Sequence, residues 1–148
     1  MITECYIKGR YDFGKGKAAV VIVEDSTLLH KVAWIVPDEW EYDGEVIVAD
    51  QYNCEILAAC YALDWCMKNN KELVNIYANT KTAELWYGEQ AFPQSRMAMG
   101  KAFYKAYDDF CAKMDAKKYV HHRVYGDYIP KDADSCWNRL VNDIAIKL

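Results

Sequence analysis

One carboxylate is oddly placed. In the stretch QYNCEILAACYALDWC (Gln51–Cys66), Glu55 sits among Cys54, Ile56, Leu57, Ala58 and Ala59. A carboxylate in such company is costly to desolvate unless a cation or hydrogen-bond donors meet it. Taken alone, it also suits the first turn of a helix, where the dipole favours a negative charge. Other residues capable of chemistry are less suggestive. His121 and His122 are adjacent, and neighbours on a regular strand point to opposite faces, so they cannot chelate one ion. His30 reads as a sheet residue. Asp12, Asp127, Asp132 and Asp134 could join Glu55 around a metal only if the fold gathered them, which their spacing does not require; Asp132 or Asp134 serves better as a helix N-cap. The six cysteines form no C-x-x-C pair and lie mostly in apolar periodic segments. They are expected to be reduced thiols of a cytoplasmic protein, not a disulfide framework or a zinc site.

The elements that would position Glu55 follow from periodicity. Glu4–Arg10 alternates, with Cys5 and Ile7 on one face and Glu4, Tyr6 and Lys8 on the other. Tyr11–Lys17 reads as a glycine-bearing loop, Lys17–Val23 as a β-branched strand, and Leu28–Val36 as its partner, ended by Pro37. Pro37–Tyr52 is expected to be mostly loop with an extended piece at Glu45–Ala49. Asn53 is the expected N-cap of a helix bearing Ile56, Ala59, Cys60, Leu63, Cys66 and Met67, stopped at Asn69-Asn70. Leu73–Ala78 is a short strand, Asn79-Thr80 opens a helix running to Gly88, and Phe92-Pro93 breaks the chain. A long amphipathic helix carries Met99, Phe103, Ala106, Phe110 and Met114. Lys118–Tyr125 is a strand, Gly126–Asp134 a loop, and the last helix bears Trp137, Leu140, Val141 and Ile144.

Length and composition set the frame. The chain has 148 residues, of which 53% are hydrophobic and 14% aromatic, with a formal net charge of -4. That describes one domain, residues 1–148, with a real core and no overall basic bias toward phosphate. Lys15, Lys17, Lys101, Lys105, Lys113, Lys117 and Lys118 are dispersed among acids, as on a solvated surface. No apolar run approaches the roughly 20 residues that span a bilayer, and MITECYIKGR lacks an apolar signal core, so neither a membrane nor export is expected.

The order of elements, with Asn53–Trp65 (NCEILAACYALDW), Asn75–Thr80 (NIYANT) and Val124–Leu140 (VYGD…CWNRL), resembles the ribonuclease H (type 1) family over nearly the whole chain. The resemblance implies an α/β fold with a five-stranded mixed sheet, three antiparallel strands followed by strands joined through helices, and helices packed on it. It also implies cleavage of RNA in RNA–DNA hybrids by two magnesium ions held by four carboxylates, with a loop histidine assisting turnover. Carried over position by position, the first-strand carboxylate falls on Lys8, the helix carboxylate on Glu55, the fourth-strand carboxylate on Asn79 and the last-helix carboxylate on Asn138. The histidine falls near Asp127. Of the quartet only the catalytic carboxylate Glu55 is retained.

Lys8 contributes one positive charge, Glu55 one negative, and the asparagines none, so the cluster is neutral without metal. An ammonium also repels a dication by an amount on the order of 8 kcal/mol at ~4 Å and an effective dielectric of ~20. Lys8 and Glu55 are expected to pair, with Asn79 and Asn138 completing the hydrogen bonding. Each residue has a plainer reading in isolation: Lys8 in solvent, the asparagines as caps or turn residues. Most aromatics should be packing, Trp65 and Trp137 especially, while Trp86 and Tyr87 are the candidates to stack on nucleic acid. The expected function is a degenerate ribonuclease-H-like protein with no metal cofactor, retaining binding to an RNA–DNA hybrid, another nucleic acid or a protein partner. One alternative is a divergent active, magnesium-dependent ribonuclease H using Glu55 and displaced aspartates. Another is a structural interaction module.

Overall fold

The computed structural model describes residues 1–78, 96–115, 124–128 and 135–148. Strands β1 (Ile2–Asp12), β2 (Lys15–Glu24) and β3 (Thr27–Val36) form an antiparallel meander. A short hairpin, β4 (Glu39–Tyr42) and β5 (Glu45–Val48), leads into helix α1 (Gln51–Lys68). Strand β6 (Leu73–Ala78), helix α2 (Met97–Asp115), strand β7 (Val124–Tyr128) and helix α3 (Cys136–Ile146) follow. The main sheet has five strands in the order β3-β2-β1-β6-β7, with β6 parallel to both β1 and β7. This mixed α/β sheet is the one expected. Among the described residues no helix is long and apolar enough to cross a membrane.

Strand β2 is apolar from Ala18 to Val23 because both of its faces are covered there. Ala18, Val20 and Ile22 join Cys5 and Ile7 against α1 and α2, while Ala19, Val21 and Val23 join Tyr6 against Val141 and Ala145 of α3. The stripe Met99, Phe103, Phe110 and Met114 of α2 is buried as its helical spacing requires. Lys113 donates from Nζ to the Met67 carbonyl at 2.6 Å, satisfying the end of α1. None of the six cysteines is in a disulfide, and the buried Cys5 and Cys66 lie with their sulfurs 3.7 Å apart.

Several boundaries differ from expectation, each for a local reason. Tyr11–Lys17 is not a loop: β1 and β2 are joined directly through Phe13 and Gly14 at φ 52° and 76°. Asp43-Gly44, at φ 51° and 78°, likewise joins β4 to β5, so the acidic stretch is a hairpin. Positive φ at both central residues is what a two-residue hairpin demands. Asn53 is not the N-cap of α1; Asp50 is, accepting the Asn53 amide at 2.7 Å. Ser135, rather than Asp132 or Asp134, caps α3. Strand β7 runs on to Tyr128, so Gly126–Tyr128 is extended rather than loop. The expected helix after Asn79 and the residues Lys118–Arg123 of the expected last strand lie outside the described residues.

The Asp50 cap is doubly used. Arg96, just before α2, donates from Nη1 to both Asp50 oxygens at 3.0 and 2.8 Å and to Asn53 Oδ1 at 2.9 Å, with its guanidinium 4.8 Å from the centre of the Tyr52 ring. Asn53 in turn donates to the Val48 carbonyl at 2.9 Å. Asp50→Ala removes the cap and the arginine's partner together, and should lower stability by about 2 kcal/mol. Urea denaturation of the variant measures this.

Candidate functional site

Strands β1, β6 and β7 are parallel, and their carboxyl ends share one edge of the sheet. In an open α/β sheet this is where ligands bind. Tyr6, Tyr77 and Asp127 form one row across it, and Lys8 lies two residues further along β1.

Helix α1 crosses that end of β1 in direct backbone contact, and Gly9 makes the crossing possible. A Cβ on Gly9 would fall 2.8 Å from Glu55 Cα and closer still to the Glu55 amide nitrogen and the Gln51 carbonyl. No other residue fits there. The crossing sets Glu55 against the strand immediately after Lys8. Because α1 begins at Gln51, Glu55 belongs to its second turn, and the first turn carries no acid. It is also fully buried, one of the largest side chains in the core to be so. The exposed first-turn carboxylate is therefore excluded. Lys8 is half-buried, so it does not simply extend into solvent.

Asn138 lies in the first turn of α3, is 3% exposed, and donates from its backbone amide to the N-cap Ser135 Oγ at 3.3 Å. It continues the stripe of Val141 and Ala145 that meets the Tyr6 face of the sheet. Tyr6 donates from its hydroxyl to Glu4 Oε2 at 2.9 Å and stacks on Tyr77 at 5.0 Å. Burial above all, with the bond to Glu4, raises the Tyr6 phenol well above its usual range. None of Lys8, Glu55 and Asn138 is without an interaction partner. Asn79, Trp86 and Tyr87 lie outside the described residues. Asp127, expected in the loop, is instead in β7 opposite Tyr77; the loop that would follow is residues 129–134, also outside the described residues.

Beyond Lys8 the end of the β1–β2 hairpin is basic. Arg10 donates from Nε to Asp12 Oδ2 at 2.6 Å. That bond, assisted by Lys17 and Lys8, holds the Asp12 carboxyl below its usual range. Glu24, at the other end of β2, is also held low: burial opposes the shift, but hydrogen bonds from Lys71 and Thr3 and the charge of Lys71 outweigh it. Both depressed carboxyls contribute stability above their unfolded values, near pH ~4, that is lost as pH falls through the folded ones. Urea midpoints should therefore drop on acidification below pH ~4, and Asp12→Asn should flatten part of that drop.

No family model matches the sequence, and no curated protein does. Solved structures do match. The N-terminal ribonuclease H domain of a Mycobacterium tuberculosis protein superposes with a TM-score of 0.68 at 13% identity, covering 99% of this chain and 94% of that one. Ribonuclease H1 of the halophilic archaeon Halobacterium salinarum gives 0.63 at 12% identity over 100% of both chains. The fold is that of ribonuclease H. A ribonuclease H1 isolated from compost, in complex with an RNA/DNA hybrid, gives 0.53 at 17% identity over 98% of this chain and 97% of that one.

The two magnesium ions that the resemblance implies would need hard, anionic oxygen ligands. Of the described residues at the positions carried over, Glu55 offers such an oxygen, whereas Lys8 offers three donors and no acceptor and the Asn138 amide a neutral oxygen. Among the described residues no group of three or more His, Cys, Asp or Glu side chains is placed to hold a metal ion. The residue that sequence reasoning missed is Gly9. Its signal was a glycine directly after Lys8 inside an otherwise well-formed strand, a position that marks close backbone approach.

Proposed function

We propose that the protein is a degenerate ribonuclease-H-like domain, in which an internal ammonium replaces metal at the site and which binds nucleic acid without cutting it. The observation that carries the reading is the crossing of α1 over β1 at Gly9, which sets buried Glu55 beside the strand position held by Lys8. A buried carboxylate persists only when it is compensated. Lys8 compensates it, and Asn138 and Asn79 complete the hydrogen bonding where carboxylates would ligate. Nucleic acid is favoured over a protein as the partner by the basic end of the β1–β2 hairpin. Arg10 and Lys15 accompany exposed Tyr11 and Phe13 there, so charge for phosphates and rings for stacking lie together, whereas Lys17, expected on a solvated surface, is buried at 8% exposure.

The test is a labelled RNA–DNA hybrid incubated with magnesium or manganese. The expected result is binding that weakens as salt rises, with no cleavage. Metal-dependent cleavage abolished by Glu55→Gln would establish the divergent enzyme instead.

A further inference from the structure

Two groups with chemistry of their own lie away from the sheet's carboxyl edge. Cys5 of β1 and Cys66 of α1 are 61 residues apart in sequence and fully buried, with their sulfurs 3.7 Å apart. The path of α1 brings them together. Glu55, Ala59, Ala62 and Cys66 form one stripe of the helix, all of it buried, and the stripe runs back along β1 from the crossing at Gly9. From Glu55 to Cys66 the helix advances about 17 Å at ~1.5 Å per residue. From Gly9 back to Cys5 the strand covers about 13 Å at ~3.3 Å per residue. The two alanines between leave little bulk to hold helix and strand apart, so the layers stay close as far as the two sulfurs. The Cys5 thiol is held well above its ordinary range, first by its hydrogen bond to Cys66 and then by burial, so it keeps its proton at neutral pH.

We propose that Cys5 and Cys66 are a redox-active pair, which hydrogen peroxide converts into a disulfide that fastens the last turn of α1 to β1. Packing alone asks only for a small hydrophobe at each position. Two sulfurs in contact across two elements add a bond that can form with little movement: closing 3.7 Å to the ~2.05 Å of a disulfide is a shift shared between two side chains and the end of a helix. Cys66 lies in the last turn of α1, and helix ends open more readily than helix centres. In the open turn the Cys66 sulfur attacks the O–O bond of the peroxide, becoming a sulfenic acid as one water leaves. The Cys5 sulfur then attacks the Cys66 sulfur, the S–O bond breaks and a second water leaves. Two thiols have given up two electrons and two protons, and one peroxide has become two waters.

The test treats the reduced, folded chain with hydrogen peroxide, blocks the remaining thiols and maps the unreduced peptides by mass spectrometry. The expected product is a joined pair of peptides carrying Cys5 and Cys66, lighter by two hydrogens. Closing a loop of this length should raise the thermal midpoint by about 10 °C, and dithiothreitol should reverse the rise. Cys136→Ser, at the exposed thiol, should leave the rise intact, whereas Cys66→Ala should abolish it. The mapped link and its reversal are read on the unsubstituted chain, so the test does not depend on how well Cys66→Ala folds. Cys5 and Cys66 still reduced after Cys136 has been oxidised would overturn the proposal. So would a link between them that leaves the midpoint unchanged or lowers it.

Discussion

Lys8→Met destabilises the fold by about 3 kcal/mol or more at neutral pH, the cost of stranding a buried charge. Glu55 is fully buried where α1 crosses the backbone at Gly9, so in the proposed pairing it is left as a buried charge when the Lys8 ammonium is removed. The double variant Lys8→Met, Glu55→Gln removes the charge as well as its partner. It should recover most of the loss, because replacing both members of an ion pair costs far less than orphaning one. Urea denaturation of wild type, the two single variants and the double variant closes the cycle. A coupling energy near zero would place the Lys8 ammonium elsewhere, and the electrostatic reading of the site would fail.

The second large effect is steric. Gly9→Ala brings a methyl carbon onto the backbone of α1, at Glu55 and Gln51, where the obstacle is main chain rather than a movable side chain. Either helix or strand must shift, and the expected loss is about 3 kcal/mol, at the upper end for overpacking. Gly14→Ala is the control. Its added carbon meets nothing within 4 Å, although its φ of 76° still carries a backbone penalty of ~1 kcal/mol. Thermal melts of the two variants should differ widely, and equal losses would mean that the strand and helix are not in register at Gly9.

The two variants probe different physical facts, and the sequence revealed them unequally. The alternation of Cys5, Tyr6 and Ile7, the two-faced apolar run of β2 and the stripe of α2 each encode which surface is covered, so the sheet and its helices were legible from periodicity. Helix starts were less so. Asp50 and Asn53 are both good caps, and local sequence does not say that Asp50 accepts the Asn53 amide while the Asn53 side chain donates to the Val48 carbonyl. The β4–β5 hairpin hid behind an acidic composition that looks like loop, although Asp43-Gly44 is a turn signal. At the site, residue types and their order identified Lys8 and Glu55 as a candidate pair. That Glu55 is buried one turn inside α1 depends on where Asp50 starts the helix. That α1 meets β1 at Gly9 is a fact of tertiary packing with no local periodicity to announce it.

Metal affinity is the most direct measure of the central claim. Manganese titration by calorimetry should detect no binding to the wild-type chain at millimolar ion. Restoring the carboxylates together, Lys8→Asp, Asn79→Asp and Asn138→Asp, should create binding at the same site, which Glu55→Gln then removes. Stoichiometric manganese binding by the wild type, lost with Glu55→Gln, would contradict the account.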